Sequence, residues 1–389
     1  MPEDSSAQEA PGKHSSQALS EKTSSPHSNR TGWDGKLRVD KRAVVKNASA
    51  VDSDGDGNVS SEDELPGESI GADEDLLNEE DPETEDIDAQ HSRIGSMAAL
   101  RLERFPKLQR LGLRQNLIQA IELPESLAST LTELELYDNL ISHIRNLDAF
   151  TELKSLDLSY NKIKHVKHLN HLTKLTHLYL VQNKISRIEN LEGLQNLEYL
   201  ELGANRIREI AGLDSLTTLT QLWLGQNKIS SLSGLSHLRN LRVLSIQANR
   251  LTNLEGLEQL ESLEELFFSD NLVESLVPLR QNPKLQILDV QNNPIKTLAG
   301  IEELKDLENF WASGCQLSSF DEVEKLLGDK EKLSEVYFEG NPLQKSNEVL
   351  YRNKVRLALP RVTKIDASKY DCPKIDVLKL IKSTAYVRV

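Results

Sequence analysis

Cysteine is almost missing from this 389-residue chain: Cys315 and Cys372 are the only two, and neither stands in a CxxC or similar metal spacing. A disulfide framework is excluded, and a reducing compartment is expected. No run of about 18 apolar residues occurs, so no membrane-spanning helix is expected. The opening MPEDSSAQEAPGKHSS has no apolar signal-peptide core, which points to a soluble intracellular chain. Basic excess is missing too. The formal net charge is −15, which argues against nucleic acid, whose phosphates need a net basic face. There is no phosphate loop, no GxSxG, no HExxH and no GxGxxG between a strand and a helix. No enzyme and no cofactor is therefore expected.

The charge is unevenly spread. Asn47 to Gln90 holds 17 acidic residues and no Lys or Arg, whereas residues 91–389 hold 38 acidic and 38 basic. Residues 1–91 are rich in Ser, Asp, Glu, Gly and Pro with one aromatic, Trp33. Such a composition buries too little apolar surface to offset chain entropy, so a disordered acidic tail is expected over 1–91. Within it, DSDGDGNVSSED (Asp52 to Asp63) has the oxygen spacing of a calcium loop. Pro66 and Gly67 would break the exit helix at once, and Asp63 is shorter than the usual bidentate Glu, so a folded calcium site is not expected. Ser60 and Ser61, followed by Glu62, Asp63 and Glu64, fit acidic-context phosphorylation instead.

The remainder is periodic. Asn116, Asn139, Asn161, Asn183, Asn205, Asn227, Asn249, Asn271 and Asn293 recur every 22 residues after a first step of 23. Cys315 holds the next position, and Asn341 follows after 26. Around them runs L-x-x-L-x-L-x-x-N-x-I-x-x-I-x-x-L, the leucine-rich repeat. The fold expected is an α/β solenoid of about eleven repeats over 108–341, with a parallel concave sheet. Each L-x-L should be a strand with its leucines inward, and the apolar residues three apart after the Asn suit a 3₁₀-like return. The Asn amides should satisfy backbone groups of neighbouring turns, and Cys315 should substitute as a small buried residue.

Open solenoid ends need covers. An N-terminal helical cap is expected over 92–107 and a C-terminal cap over 342–370, with 371–389 a separate extension. The C-terminal cap should hold an amphipathic helix with Val349, Leu350, Val355 and Leu359 inward. FDEVEKLLG, in the long step before Asn341, should be a true helix. His165, His168 and His171 alternate with inward apolar residues; a solvated face is expected rather than a metal site, since no carboxylate or cysteine joins them.

The outward residue between the strand leucines runs Gly112, Glu135, Asp157, Tyr179, Glu201, Trp223, Ser245, Phe267, Asp289, Trp311, Tyr337. Five of these eleven are aromatic in a chain that is 5% aromatic, so exposed anchors of a protein interface are expected here. Tyr137, Tyr199, Glu265, Glu335 and Glu339 flank the row. A partner should offer Lys, Arg and apolar knobs.

The segments LELGANRIREI, NKISRIENLEGL, FWASGC and VYFEGNPLQKSNEVLYRNKVRLALPRVTKIDAS resemble the leucine-rich-repeat regulatory subunits of the type-1 serine/threonine protein phosphatase, over about residues 93–370. The resemblance implies a non-catalytic subunit that grips the phosphatase catalytic subunit in its concave face without an RVxF motif. It further implies roles in phosphatase maturation and mitotic regulation, location in the nucleus with the cytoplasm as a second site, and a monomer when alone; a third, inhibitor subunit is left open. Carried across, it points to Asp157, Tyr179, Glu201, Trp223, Asp289, Trp311 and Tyr337. Tyr179 and Trp223 stand where the family commonly has phenylalanine, and Asn309 where an acidic residue is usual. The alternative from the repeat alone is a cytoskeletal or ciliary adaptor. Neither reading includes nucleic acid or membrane as a partner.

Overall fold

The computed structural model describes residues 76–366 and 368–369; the calcium-like loop, Ser60, Ser61 and Cys372 lie outside the described residues. Three-residue strands follow one another up the chain: β1 (Asp86–Asp88), β2 (Arg110–Gly112), β3 (Glu133–Glu135), β4 (Ser155–Asp157), β5 (His177–Tyr179), β6 (Tyr199–Glu201) and β7 (Gln221–Trp223). Then come β8 (Val243–Ser245), β9 (Glu265–Phe267), β10 (Ile287–Asp289), β11 (Asn309–Trp311), β12 (Glu335–Tyr337), β13 (Lys364–Ile365) and β14 (Ser368–Lys369). They form one sheet in sequence order, parallel throughout except for the antiparallel last pair. The register is regular: Leu156, Leu178, Leu200 and Leu222 stand side by side on successive strands. The structure is a leucine-rich-repeat solenoid, as the periodicity predicts.

The core is a column rather than a ball. Leu178 and Leu180 of one turn, then Ile185, Leu191, Leu194 and Leu197 of its return, are all fully buried. The return is built from i→i+3 bonds, such as Leu194 N to Leu191 O and Leu197 N to Leu194 O, both 3.0 Å, which is 3₁₀ geometry.

The asparagine row ties turn to turn. Asn183 Nδ2 donates to Leu158 O of the preceding turn at 2.9 Å and to Leu180 O and Val181 O of its own. Its Oδ1 accepts from Ile163 N at 2.9 Å. One amide thus satisfies a donor and three acceptors in the largely buried seam between turns. Cys315 supplies only half of this: Sγ donates to Val290 O at 3.3 Å, and burial pushes the thiol up to about 11.

The residue before each ladder position has positive φ, from Gln115 and Asp138 through Tyr160, Gln182, Ala204, Gln226, Ala248, Asp270 and Asn292 to Gly314 and Gly340. Left-handed backbone costs a non-glycine residue roughly 1–2 kcal/mol. It is held here because each N–H as far as Gly314 donates to the next turn, as Ala204 N does to Gly225 O at 2.8 Å, while Gly340 N donates to Gln344 Oε1 at 2.7 Å.

The ends differ from expectation in three ways. Residues expected in the disordered tail extend the solenoid: β1 pairs with β2, and Leu77, Ile87 and Ala89 are buried. The N-terminal cap is two short 3₁₀ turns, Ala98–Leu100 and Leu102–Arg104, rather than one helix; Arg101 between them has φ 50°. The C-terminal helix starts later than expected. After a short turn, α2 (Pro342–Lys345), it runs from Tyr351 to Ala358 as α3. Val349 and Leu350 precede it and are exposed, while Val355 and Leu359 are buried as expected. FDEVEKLLG forms α1 (Phe320–Leu327), N-capped by Ser319 Oγ, which accepts from Glu322 N at 3.1 Å. The extra residues of the 26-residue step accommodate it.

Candidate functional site

Strand alternation sends the first and third residue of each strand to the sheet face, so two rows stand there. The third-residue row is Gly112, Glu135, Asp157, Tyr179, Glu201, Trp223, Ser245, Phe267, Asp289, Trp311, Tyr337, paired in register strand by strand. Beside it run Tyr199, Glu265, Asn309 and Glu335 as first residues. The third-residue row and these four first residues therefore share one face of the sheet, while Tyr137 and Glu339 lie just beyond the strands.

The aromatic residues differ from free-standing anchors. They touch one another in a line: Tyr179–Tyr199 at 4.9 Å between ring centres, Tyr199–Trp223 at 6.4 Å, Trp223–Phe267 and Phe267–Trp311 at 6.2 Å, and Trp311–Tyr337 at 6.0 Å. Trp223 and Phe267 sit two strands apart, a separation of about 9.6 Å at the usual strand spacing. At 6.2 Å they must lean together over the strand between, which carries small Ser245. Phe267 and Trp311 do the same over Asp289. Ser245 and Asp289 are consequently buried, and Trp223 retains only 8% exposure. The expectation of a solvent-facing Trp223 is thus corrected. Its neighbours cover it, and its indole Nε1 is buried without a hydrogen-bond partner. Tyr179, Phe267, Trp311 and Tyr337 are half-buried.

The acids are tuned by the same crowding. Burial raises the carboxyl pKa of Asp157, Glu201, Glu265 and Asp289. Three of them are partly held: Asp157 accepts from Ser159 N at 2.8 Å, Asp289 from Gln291 N at 3.1 Å, and Glu201 from the Tyr199 hydroxyl at 3.0 Å. Burial also pushes the Tyr179 phenol up to about 12, helped by the charges of Asp157 and Glu201. The face thus holds carboxylates whose ionised form lacks hydration, a field that a bound cation would relieve.

Two internal cations were not anticipated. Arg114 pairs with Glu135 at 2.9 Å and approaches Asp157 at 3.9 Å. Lys364 pairs with Glu335 at 3.0 Å and lies over the Tyr337 ring. Glu135 and Glu335 therefore have internal partners, and the less compensated charge lies between them. The period could have revealed this, since Arg114 sits two residues beyond Gly112 of the row. Asn309 occupies the first-residue row, half-buried, with Ile287 and Glu335 as strand neighbours.

The histidine cluster does not assemble. His165 and His168 line a cleft with His143, His171 Nε2 meets Leu147 O at 2.9 Å, and His177 stacks near Tyr199 on the sheet face. Among the described residues no three His, Cys, Asp or Glu are placed to hold a metal ion.

Comparisons with known proteins agree on the repeat. A family profile described as leucine-rich repeats in two copies matches in overlapping windows over residues 173–305, and one described as a leucine-rich repeat matches 129–185. A protein phosphatase 1 regulatory subunit, SDS22, from Saccharomyces cerevisiae is 46% identical over 105 residues, 26% of this chain and 31% of the relative. The SDS22 regulatory subunit of Schizosaccharomyces pombe is 60% identical over 58 residues, 15% of this chain and 18% of the relative. The aligned segments thus span a third or less of these curated relatives. Among solved structures, a leucine-rich-repeat protein of Leptospira interrogans superposes with TM-score 0.55 at 27% identity, covering 68% of this chain and 74% of its own. An internalin of Listeria monocytogenes gives 0.57 at 22% identity, covering 74% and 87%, a likeness of fold alone.

Proposed function

We propose that this leucine-rich-repeat chain, similar over part of its length to regulatory subunits of protein phosphatase 1, binds the catalytic subunit of the type-1 serine/threonine phosphatase across its sheet face. It acts as a non-catalytic regulatory subunit. The observation that carries the reading is the unbroken line of rings from Tyr179 to Tyr337, interleaved with under-hydrated carboxylates, in a chain akin to SDS22 over its best-matched segments.

The arrangement suits a large, rigid partner. Rings that pack on each other lose little freedom on binding, so more of their contact area is realised as affinity. The acids between them select a basic surface and oppose an acidic one. Glu201 and Glu265 would meet Lys or Arg, with Asp157 and Asp289 adding their charge from beneath, while Phe267, Trp311 and Tyr337 offer apolar area. Extended to the cell, the reading includes support of phosphatase maturation, mitotic regulation and work in the nucleus.

Light scattering on the full chain mixed with the type-1 catalytic subunit tests it. A 1:1 complex that Tyr179→Ala/Trp311→Ala abolishes supports both partner and face. Absence of any complex with the wild-type chain overturns the reading. Maturation is tested by the soluble yield of newly made phosphatase with and without this chain; equal yields would remove that role.

A further inference from the structure

The cleft that gathers three of the histidines lies away from the sheet face, on the returns of two successive turns. Its lining is Ser142, His143, Ile144, Arg145, Lys162, Lys164, His165, Lys167 and His168, around a volume of about 400 Å³. Four Lys or Arg and three His stand there with no carboxylate among the lining residues, in a chain of net charge −15.

The 22-residue period explains how this arrangement arises. On other columns of the solenoid, exposed cations find an acid one turn away: Lys174 with Glu152 at 2.6 Å, Arg242 with Glu264 at 2.6 Å, and Arg280 with Glu302 at 3.1 Å. In the cleft the same spacing sets like beside like. Arg145 precedes Lys167 by 22, and His143 precedes His165 by 22. Lys184 and Arg187 continue the basic run on the next turn. The one acid that reaches in is Glu189, whose carboxylate lies 3.2 Å from His165 Nδ1. Neighbouring like charges cost stability, and nothing in the packing demands them, because all four cations are exposed.

We infer that this cleft is a binding site for a phosphorylated polypeptide segment. A phosphomonoester carries close to two charges and three strong acceptor oxygens. Arg145 can meet two of them in its planar fork, and Lys162, Lys164 and Lys167 supply point charges around it. Nucleic acid fits less well, since the lining holds no Phe, Tyr or Trp on which bases could stack and the sheet face nearby is acidic. A membrane fits less well too, because Ile144, the one large apolar lining residue, is buried and cannot insert. The site leaves the sheet face free. Beside a phosphatase held there, it would keep phosphorylated substrates within reach of the active subunit, a consequence that rests on the function proposed above.

The test is isothermal titration of the full chain with a phosphoserine decapeptide, its unphosphorylated twin, inorganic phosphate and a 10-nucleotide RNA. The phosphopeptide should bind at least about tenfold more tightly than its twin, and inorganic phosphate should compete with it. Lys162→Ala/Lys164→Ala/Lys167→Ala should weaken the phosphopeptide by at least about tenfold, while Lys228→Ala/Arg250→Ala changes it little. The triple variant should keep or raise its melting temperature and retain its complex with the phosphatase, which separates failure here from failure of the sheet-face reading. Equal binding of the two peptides, tighter binding of RNA, or indifference to the triple substitution overturns the assignment.

Discussion

The indole N–H of Trp311 donates to Glu335 Oε1 at 3.0 Å, one strand over, and Lys364 meets the same oxygen at 3.0 Å. Trp311 is therefore oriented before any partner arrives. Trp311→Ala should leave the solenoid folded and weaken phosphatase binding by about tenfold or more, roughly the lower bound of a hot spot. Trp311→Phe keeps the stack but loses the donor, and should fall between. Calorimetric titration of the three proteins checks the order; equal affinities would remove Trp311 from the interface.

Acidity provides a second handle. The raised pKa of Glu201 means that the folded chain holds this proton more tightly than the unfolded chain. Its ionisation therefore subtracts stability as pH rises from the ordinary carboxylate range through the raised value. Below both values the penalty is absent. Glu201→Gln should match wild type at low pH and exceed it at neutral pH, by about 0.5–1 kcal/mol. The same change should weaken a cationic partner. Denaturant melts across pH 4–8, paired with binding at neutral pH, would expose the opposition; a variant that loses stability at neutral pH contradicts it.

In the ladder, Asn183→Ala strands Leu158 O, Leu180 O, Val181 O and Ile163 N in the interior. The expected loss is about 2–4 kcal/mol, several buried groups at once. Thermal melts followed by circular dichroism would show it. A loss under about 1 kcal/mol would mean that neighbouring groups or water take over these bonds.

Cys315 should behave in the opposite way. Asn has the donors and acceptor that every other ladder position uses, so Cys315→Asn should stabilise, by about 0.5–2 kcal/mol. The native thiol, buried and pushed up to about 11, should resist iodoacetamide at neutral pH until the chain unfolds. Rapid alkylation of Cys315 in the folded protein would contradict its burial.

Much of this was legible because one period governs everything. The Asn row fixes the strand positions, and the strand positions fix which residue of each turn faces out, so the sheet-face residues could be named without coordinates. What period alone does not encode is contact along the row. That Trp223 is covered depends on Ser245 being small and on Phe267 leaning across it. The left-handed residue before each Asn was invisible for another reason. Tyr160, Gln182 and Ala204 share no residue type, because the conformation is imposed by bonds to the next turn. At the N-terminus, Ile87 stands too isolated among acids to signal a strand; the existing edge of β2 recruits it. Val349 and Leu350 misled because apolar spacing continues past the point where the helix begins.

The reversal of direction at β14 has a consequence for the company this molecule keeps. A parallel stack has no natural last member, and an open edge invites another chain to add on. Here the chain folds back, so the last rung among the described residues runs against the polarity of all the others. An incoming copy offering β1 would meet a strand pointing the wrong way to continue the series. Among the described residues the stack thus closes on a rung of opposite polarity, and a copy that repeated the parallel series could not continue it in register.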